Sequence, residues 1–284
     1  MADSRKIRQQ QVTQQIEDLL VSRNLRGMKQ VQAVLQPGYF QRAAEKLHQC
    51  RGTVLIGTGF PVVNTFETDG PVGAIAMYQT FRYLGLRPVI VCGDPLASAL
   101  GPDFELHTLS VGDLSSGQAE AQAALAHYQP ELVISIERPG LSAEGRYNNM
   151  RGEDISARCA CFDYFLREAD CPTIAIGDGG NEIGMGNVQA ALKSLNIIPS
   201  VTGCDELLVA DVSNWGAYGL IALLGYWRGE DLLALIDPLS LLKYTSGKGS
   251  VDGVTRQNTL TEDSLEVGAS EQLIASLRRI TGFL

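Results

Sequence analysis

Five short apolar runs recur along the chain at intervals of roughly 35–45 residues: TVLIG (53–57), PVIVC (88–92), LVISIE (132–137), TIAIG (173–177) and ELLVAD (206–211). That interval is the length of one strand plus a crossover helix. The runs are rich in Val and Ile and barely alternate with polar residues, as strands do when both of their faces are covered. The pattern predicts an α/β fold, a mostly parallel sheet with helices on both faces, which is a three-layer α/β/α sandwich. Helices are predicted over Val72–Leu84, Ser115–Tyr128, Glu153–Ala169, Ser213–Trp227 and Ser270–Leu284. Pro71 suits a first helical position, where a missing N–H costs nothing. The Ser213–Trp227 segment is apolar nearly all round, so it should be buried.

A chain of 284 residues suits one large domain. Residues 1–40 read as a helical lead-in, with Ile7, Val12, Ile16, Leu19 and Leu20 at helical spacing and Pro37-Gly38 as its stop. Residues 41–284 read as a single α/β domain, in which the glycine- and polar-rich stretch 244–268 is expected to be a mobile insertion or hairpin. A net charge of −9 argues against nucleic acid, whose phosphates need a basic face. Six scattered cysteines make no disulfide framework, and Cys159-Ala-Cys161 lacks the two-residue gap of zinc and redox motifs. The polar N-terminus has no signal-peptide core, and no apolar run nears the ~20 residues that cross a bilayer. The expectation is a reduced, cytoplasmic protein without a membrane, and a homo-oligomer joined through the N-terminal helix is left open.

Ligands of such sheets bind beyond the carboxyl ends of the strands. Every run delivers an acid there: Glu67 and Asp69 after the first, Asp94 after the second, Glu137 on the third, Asp178 with Asn181 and Glu182 on the fourth, and Asp211 on the fifth. Asp94 and Asp211 read equally well as helix caps. Acids crowded at one edge repel, and some stay protonated unless a cation neutralises them. Oxygen donors without His or Cys suit Mn²⁺, Mg²⁺ or Ca²⁺. The candidate ligands are Asp69, Glu137, Asp178 and Glu182, followed by Glu67, Asn181 and Asp211. Glu137, Asp178 and Glu182 are also the candidate acids and bases.

Two glycine loops, GTGFP (57–61) and GDGGNEIGMG (177–186), follow strands and let backbone N–H groups approach an anion, which makes Thr58, Gly59, Gly179 and Gly180 candidate substrate contacts. Neither loop has P-loop or dinucleotide spacing, and a tight turn explains each about as well. The segment 137–156 is dense in Arg138, Arg146, Arg151, Asn148 and Asn149. It reads either as a solvated connection or as a clamp in which Arg138, Asn148 and Arg151 hold a carboxylate or phosphate. A metal beside basic residues would make a pocket for a small anionic substrate.

The blocks GTGFP, ETDGPVGA, ERPG, YNNMRG, GDGGNEIGMGN and VDGVT occur in this order from about residue 50 to 255. Together they resemble the D-glutamate cyclase C-terminal-domain-like family. The resemblance implies an α/β sandwich with an acidic cavity for Mn²⁺ or Mg²⁺, without the large N-terminal domain of the two-domain cyclases. It implies an enzyme that closes D-glutamate to 5-oxo-D-proline with loss of water. The alternatives are a Mn²⁺- or Mg²⁺-dependent phosphatase of small phosphorylated substrates and a non-catalytic domain that binds an anion or metal.

Overall fold

The computed structural model describes residues 2–284, with side chains from Lys6 onward. Strands β1 (Thr53–Thr58), β2 (Arg87–Gly93), β3 (Leu106–Leu109), β4 (Leu132–Ile136), β5 (Thr173–Gly177) and β6 (Glu206–Val209) form one parallel sheet in the order β3-β2-β1-β4-β5-β6. The chain steps outward from β1 to β3, then returns to the other side of β1 and steps outward again. A sheet wound in this way opens a crevice at the carboxyl ends where the order reverses, here between β1 and β4. Thr58 is level with Ile136, and Ile136 with Ile176, so β1, β4 and β5 end at one height and their following loops converge.

The five apolar runs are the five strands other than β3. That strand, LHTL, is an edge strand of which only Leu109 is buried, so it never needed a continuous apolar run.

The longer helices are α1 (Ala2–Leu20), α2 (Tyr39–Gln49), α3 (Pro71–Tyr83), α4 (Gly117–Tyr128), α5 (Ser213–Arg228), α6 (Pro238–Gly247) and α7 (Val267–Thr281). A Cβ placed on Gly57 of β1 would strike the Phe162 ring, whereas one on Gly73 of α3 would meet Ile136 Cδ1 at 2.6 Å. Ile136 is level with Thr58, so it points to the opposite face from residue 57. Helix α3 and the Phe162 region therefore cover opposite faces of the sheet. Helix α5 packs on α3, with α1, α2 and α7 against it, while α4 packs on the short helix Asp163–Arg167 beside Phe162. Residues 213–225 of α5 are all buried, as its unbroken apolar surface requires.

Within the lead-in 1–40, Ile16 and Leu20 of α1 are fully buried and reach Gly219 of α5. The helix expected over 153–169 is not continuous. Its residues form a 3₁₀ turn (Ser156–Arg158) and the helix Asp163–Arg167, because the backbone between them pairs elsewhere. Ile155 N–H donates to Tyr147 O and Gly112 N–H to Cys159 O, and Val111 bridges Ala160. Long-range pairing there overrides helical periodicity.

The stretch 244–268 holds the end of α6, a loop, and the hairpin Thr261–Glu262/Leu265–Glu266. Buried Asp252 organises the loop, its carboxylate accepting from Val254 N–H (3.0 Å), Thr255 N–H (2.8 Å), Ser264 N–H (2.6 Å) and Thr261 Oγ1 (2.7 Å). Thr68 N–H donates to Val251 O at 2.8 Å, which docks this segment beside the strand-end turn. Among the described residues no helix is long and apolar enough to cross a membrane, and all six cysteines are free.

Candidate active site

After β1 the chain makes the small hairpin Pro61–Val62/Thr65–Phe66 and doubles back, setting Glu67 and Asp69 beside the strand end. The turn depends on Gly70. Its φ is +91°, and a Cβ there would meet Glu137 Cβ at 2.7 Å, so only glycine lets the turn lie on the end of β4. Asp69 sits at the N-terminus of α5. Its Oδ2 accepts from Ser213 N–H (2.8 Å) and its Oδ1 from Asn214 N–H (2.7 Å) and Gly70 N–H (2.9 Å). The Ser213 and Asn214 N–H groups are unpaired donors of the α5 start, where an anion is favoured.

Glu137 directly follows β4 with φ +45°, a left-handed conformation that is costly for a side chain of its size and typical of functional positions. Its Oε2 accepts from Ser213 Oγ at 2.5 Å. Asp178 directly follows β5. One carboxylate oxygen each from Asp69, Glu137 and Asp178 lie within 4.8 Å of one another, and all three residues are buried.

Around this triad lies a cleft of about 700 Å³ measured out to open solvent. Glu67, Glu137, Asp178, Glu182, Asp263 and Arg26 line its floor. Arg151, Arg158 and Arg256 stand at its rim, and Phe60 to Val63 form an apolar wall. Burial, reinforced by neighbouring acids, pushes the carboxyl groups of Glu67, Asp69 and Glu137 well above their ordinary range. Burial does the same to Asp178, against the pull of Arg26. Glu182 is also raised by burial, but backbone N–H groups of its own loop oppose this.

Arg26 reaches the floor from the N-terminal loop. Its Nη2 donates to Asp178 Oδ2, to Asp263 Oδ2 (2.5 Å) and to Asp211 O (3.0 Å), and its Nε to Asp178 O (3.3 Å). Burial alone would weaken its hold on the proton, but Asp178, Asp263 and Glu137 raise it well above the ordinary value, so the guanidinium stays charged. One partly buried arginine does not balance so many acids. An all-oxygen, triangular donor set with surplus negative charge fits a hard divalent ion such as Mg²⁺ or Mn²⁺ and not zinc.

Of the residues expected at the site, Glu67, Glu137, Asp178, Gly179, Asn181, Glu182 and Arg151 line the cleft, and Asp69 belongs to the triad. Others are placed differently. Asp211 lies outside the triad, its carboxylate accepting from Arg23 N–H (2.7 Å) and Leu25 N–H (3.3 Å), so it caps a loop. Asp94 does cap the next helical turn, accepting from Ser98 N–H and Oγ. Arg138 lies over the Phe162 ring, and its two Nη atoms donate to the carbonyls of Thr58 and Ala160, while its buried Nε has no partner. With Thr58 and Gly59 it lines a smaller neighbouring recess at the ends of β1 and β2. Asn148 stands behind the cleft, its carbonyl accepting from Asn181 Nδ2 at 2.9 Å. Gly180 N–H donates to Glu182 Oε2 at 2.7 Å, so the glycine loop cradles its own carboxylate and offers that N–H to no outside anion.

The sequence reading missed Arg26, Asp263, Arg158 and Arg256, together with the support behind Asp69. There Asn214 Oδ1 accepts from Gly70 and Gly73 N–H, Asn214 Nδ2 donates to Glu262 Oε1, and Ser270 Oγ donates to Glu262 Oε2. The acid pair in Thr261-Glu262-Asp263, close behind VDGVT, was the available signal for Asp263 and Glu262. Arg26 had none beyond the glycine that follows it.

The fold and this cleft define a doubly wound α/β protein with an acidic, arginine-rimmed strand-end site. Over residues 16–278 the chain matches the family described as D-glutamate cyclase-like, C-terminal, and it belongs to that family. The human protein named D-glutamate cyclase, mitochondrial, is 32% identical over 206 residues, covering 61% of this chain and 32% of its own length. The chain thus spans about a third of that relative. An exopolyphosphatase-related protein from Bacteroides fragilis superposes with a TM-score of 0.46 at 8% identity, over 88% of this chain and 62% of its own, a likeness that carries no argument.

Proposed function

We propose that the chain is a metal-assisted, D-glutamate cyclase-like enzyme of small anionic metabolites, and that its reaction is closure of D-glutamate to 5-oxo-D-proline plus water. The observation that carries this reading is one cleft combining buried carboxyls of raised proton affinity with an arginine rim. Family membership supports it.

Lactam closure removes two protons from the substrate ammonium and delivers two to a γ-carboxylate oxygen, which leaves as water. The nitrogen forms a bond to the γ-carbon as that C–O bond breaks. Acids packed this closely hold some of their protons at neutral pH, so an ionised member takes a proton from the ammonium and a protonated member returns one to the leaving oxygen. Glu182 and Glu67 face the cleft, lie outside the three carboxylates that would hold an ion, and suit these roles, with the strongly raised Glu67 as the protonated member. Arg151, exposed at the rim with one Nη2 bond to Val254 O, holds the γ-carboxylate so that the substrate is bent for attack. A divalent ion held by Asp69, Glu137 and Asp178 would supply Lewis-acid polarisation of a carboxyl oxygen. Six free cysteines suit a reducing compartment such as the cytoplasm.

The test incubates purified protein with D- and L-glutamate, after EDTA and after added Mn²⁺ or Mg²⁺, and follows 5-oxoproline by chiral chromatography. Metal-dependent formation of the D product is expected. Phosphate release from a panel of phosphomonoesters, with D-glutamate untouched, would replace the lyase by a phosphatase. Mn²⁺ binding with neither activity would leave a non-catalytic binding domain.

A further inference from the structure

Arg26 lies outside all six sequence blocks, yet its partly buried guanidinium is a cation of the acidic floor. It bonds the side chain of Asp178, one of the three candidate metal ligands, and that of Asp263, 237 residues away. The loop that carries it makes four hydrogen bonds to one residue, beside the packing of Arg23 over Trp215. Asp211 donates its N–H to Leu20 O (2.7 Å), accepts Arg23 and Leu25 N–H on its carboxylate, and accepts Arg26 Nη2 on its carbonyl. Asp211 immediately follows the apolar run that becomes β6 and makes no contribution to the triad itself. The arrangement delivers one fixed positive charge to the carboxylates a divalent ion would use.

We propose that Arg26 is a resident counter-ion that competes with a divalent cation for Asp178, so that the N-terminal loop, held by Asp211, sets how tightly the site takes metal. In the metal-free protein the guanidinium holds the acids together. When a dication binds, like charges face each other across Asp178, and Arg26 either moves aside or weakens the ion's hold. Arg26 acts here as a positioning and tuning residue, with no part in bond making. This inference rests on the reading that Asp69, Glu137 and Asp178 take a divalent ion.

The test is calorimetric titration of Mn²⁺ into the full chain, with melting curves in EDTA, for wild type, Arg26→Met, Arg26→Lys and Asp211→Asn. Arg26→Met is expected to bind Mn²⁺ at least ~10-fold more tightly while melting lower without metal. Saturating Mn²⁺ should restore much of the lost melting temperature. Asp211→Asn, which leaves the charge of Arg26 in place but loosens its loop, should shift both quantities in the same directions by less. Arg26→Lys, with a more mobile point charge, should fall between wild type and Met, and it serves with Asp211→Asn if Arg26→Met does not fold without metal. Folded Arg26 variants with unchanged or weaker Mn²⁺ affinity would make Arg26 a structural ion-pair partner only and overturn the proposal. Absence of Mn²⁺ binding in wild type and every variant would overturn the cation site itself.

Discussion

Raising the pH should destabilise the metal-free protein across a range where most proteins are flat. Glu262 is buried, and burial lifts its carboxyl to about 7 from an ordinary 4.5. A group whose proton affinity is raised by folding stabilises the fold below its unfolded pKa, and that contribution is lost as pH climbs through the folded value. For Glu262 the window runs from 4.5 to about 7. The loss is about 3 kcal/mol at 1.36 kcal/mol per unit. At about 2.1 cal/mol/K per residue a chain of 284 residues unfolds with about 0.6 kcal/mol/K, so Glu262 alone corresponds to about 5 °C.

Glu67, Asp69, Glu137 and Asp178 are raised in the same direction and add to the slope. Half-buried His107, whose proton affinity burial lowers, acts the other way around its ordinary 6.5. Melting curves in EDTA from about pH 5 to about pH 8 check this, and Glu262→Gln should flatten the slope by its share even if the variant melts lower throughout. Added Mn²⁺ should flatten it further by keeping the triad ionised in the folded state. A melting temperature in EDTA that is constant or rises over this range would refute the reasoning, because the acids would then not be held protonated by burial.

Asp178→Asn and Glu137→Gln should each abolish tight Mn²⁺ binding in calorimetry, whereas Cys159→Ala and Cys161→Ala should leave it intact; loss in the cysteine variants alone would contradict an all-oxygen site. In wild type, Mn²⁺ at a hundredfold excess over its dissociation constant should add about 2.7 kcal/mol, or about 4–5 °C, and NaCl of matched ionic strength should not reproduce that shift. Arg151→Lys should lower kcat/KM on the true substrate by about 10- to 1000-fold, about 1.4–4 kcal/mol, with melting temperature and Mn²⁺ affinity little changed; unchanged turnover would remove Arg151 from the site. Gly70→Ala, at φ +91° and against Glu137 Cβ, should cost on the order of 1–3 kcal/mol of stability and weaken Mn²⁺ binding with it, so an undisturbed Mn²⁺ isotherm would show that the turn does not position Glu137.

The amino-acid sequence by itself determined the class of fold and the edge on which the site is built. The five runs are legible because strands covered on both faces are apolar at nearly every position, and the acids are legible because they stand at or just after those runs. The strand Leu106–Leu109 escaped for the converse reason: only its last residue is buried. Tertiary structure alone decided which polar groups are free. The N–H of Gly180 looked available to a ligand but is taken by Glu182 two residues on, and both Nη atoms of Arg138 are taken by carbonyls. Asp211 faces a loop that begins near residue 20, and the floor is completed by Arg26 and Asp263 from opposite ends of the chain. Periodicity is local and sets burial. The bond a carboxylate or guanidinium makes is set by whichever distant segment packs beside it, and no pattern within one segment encodes that.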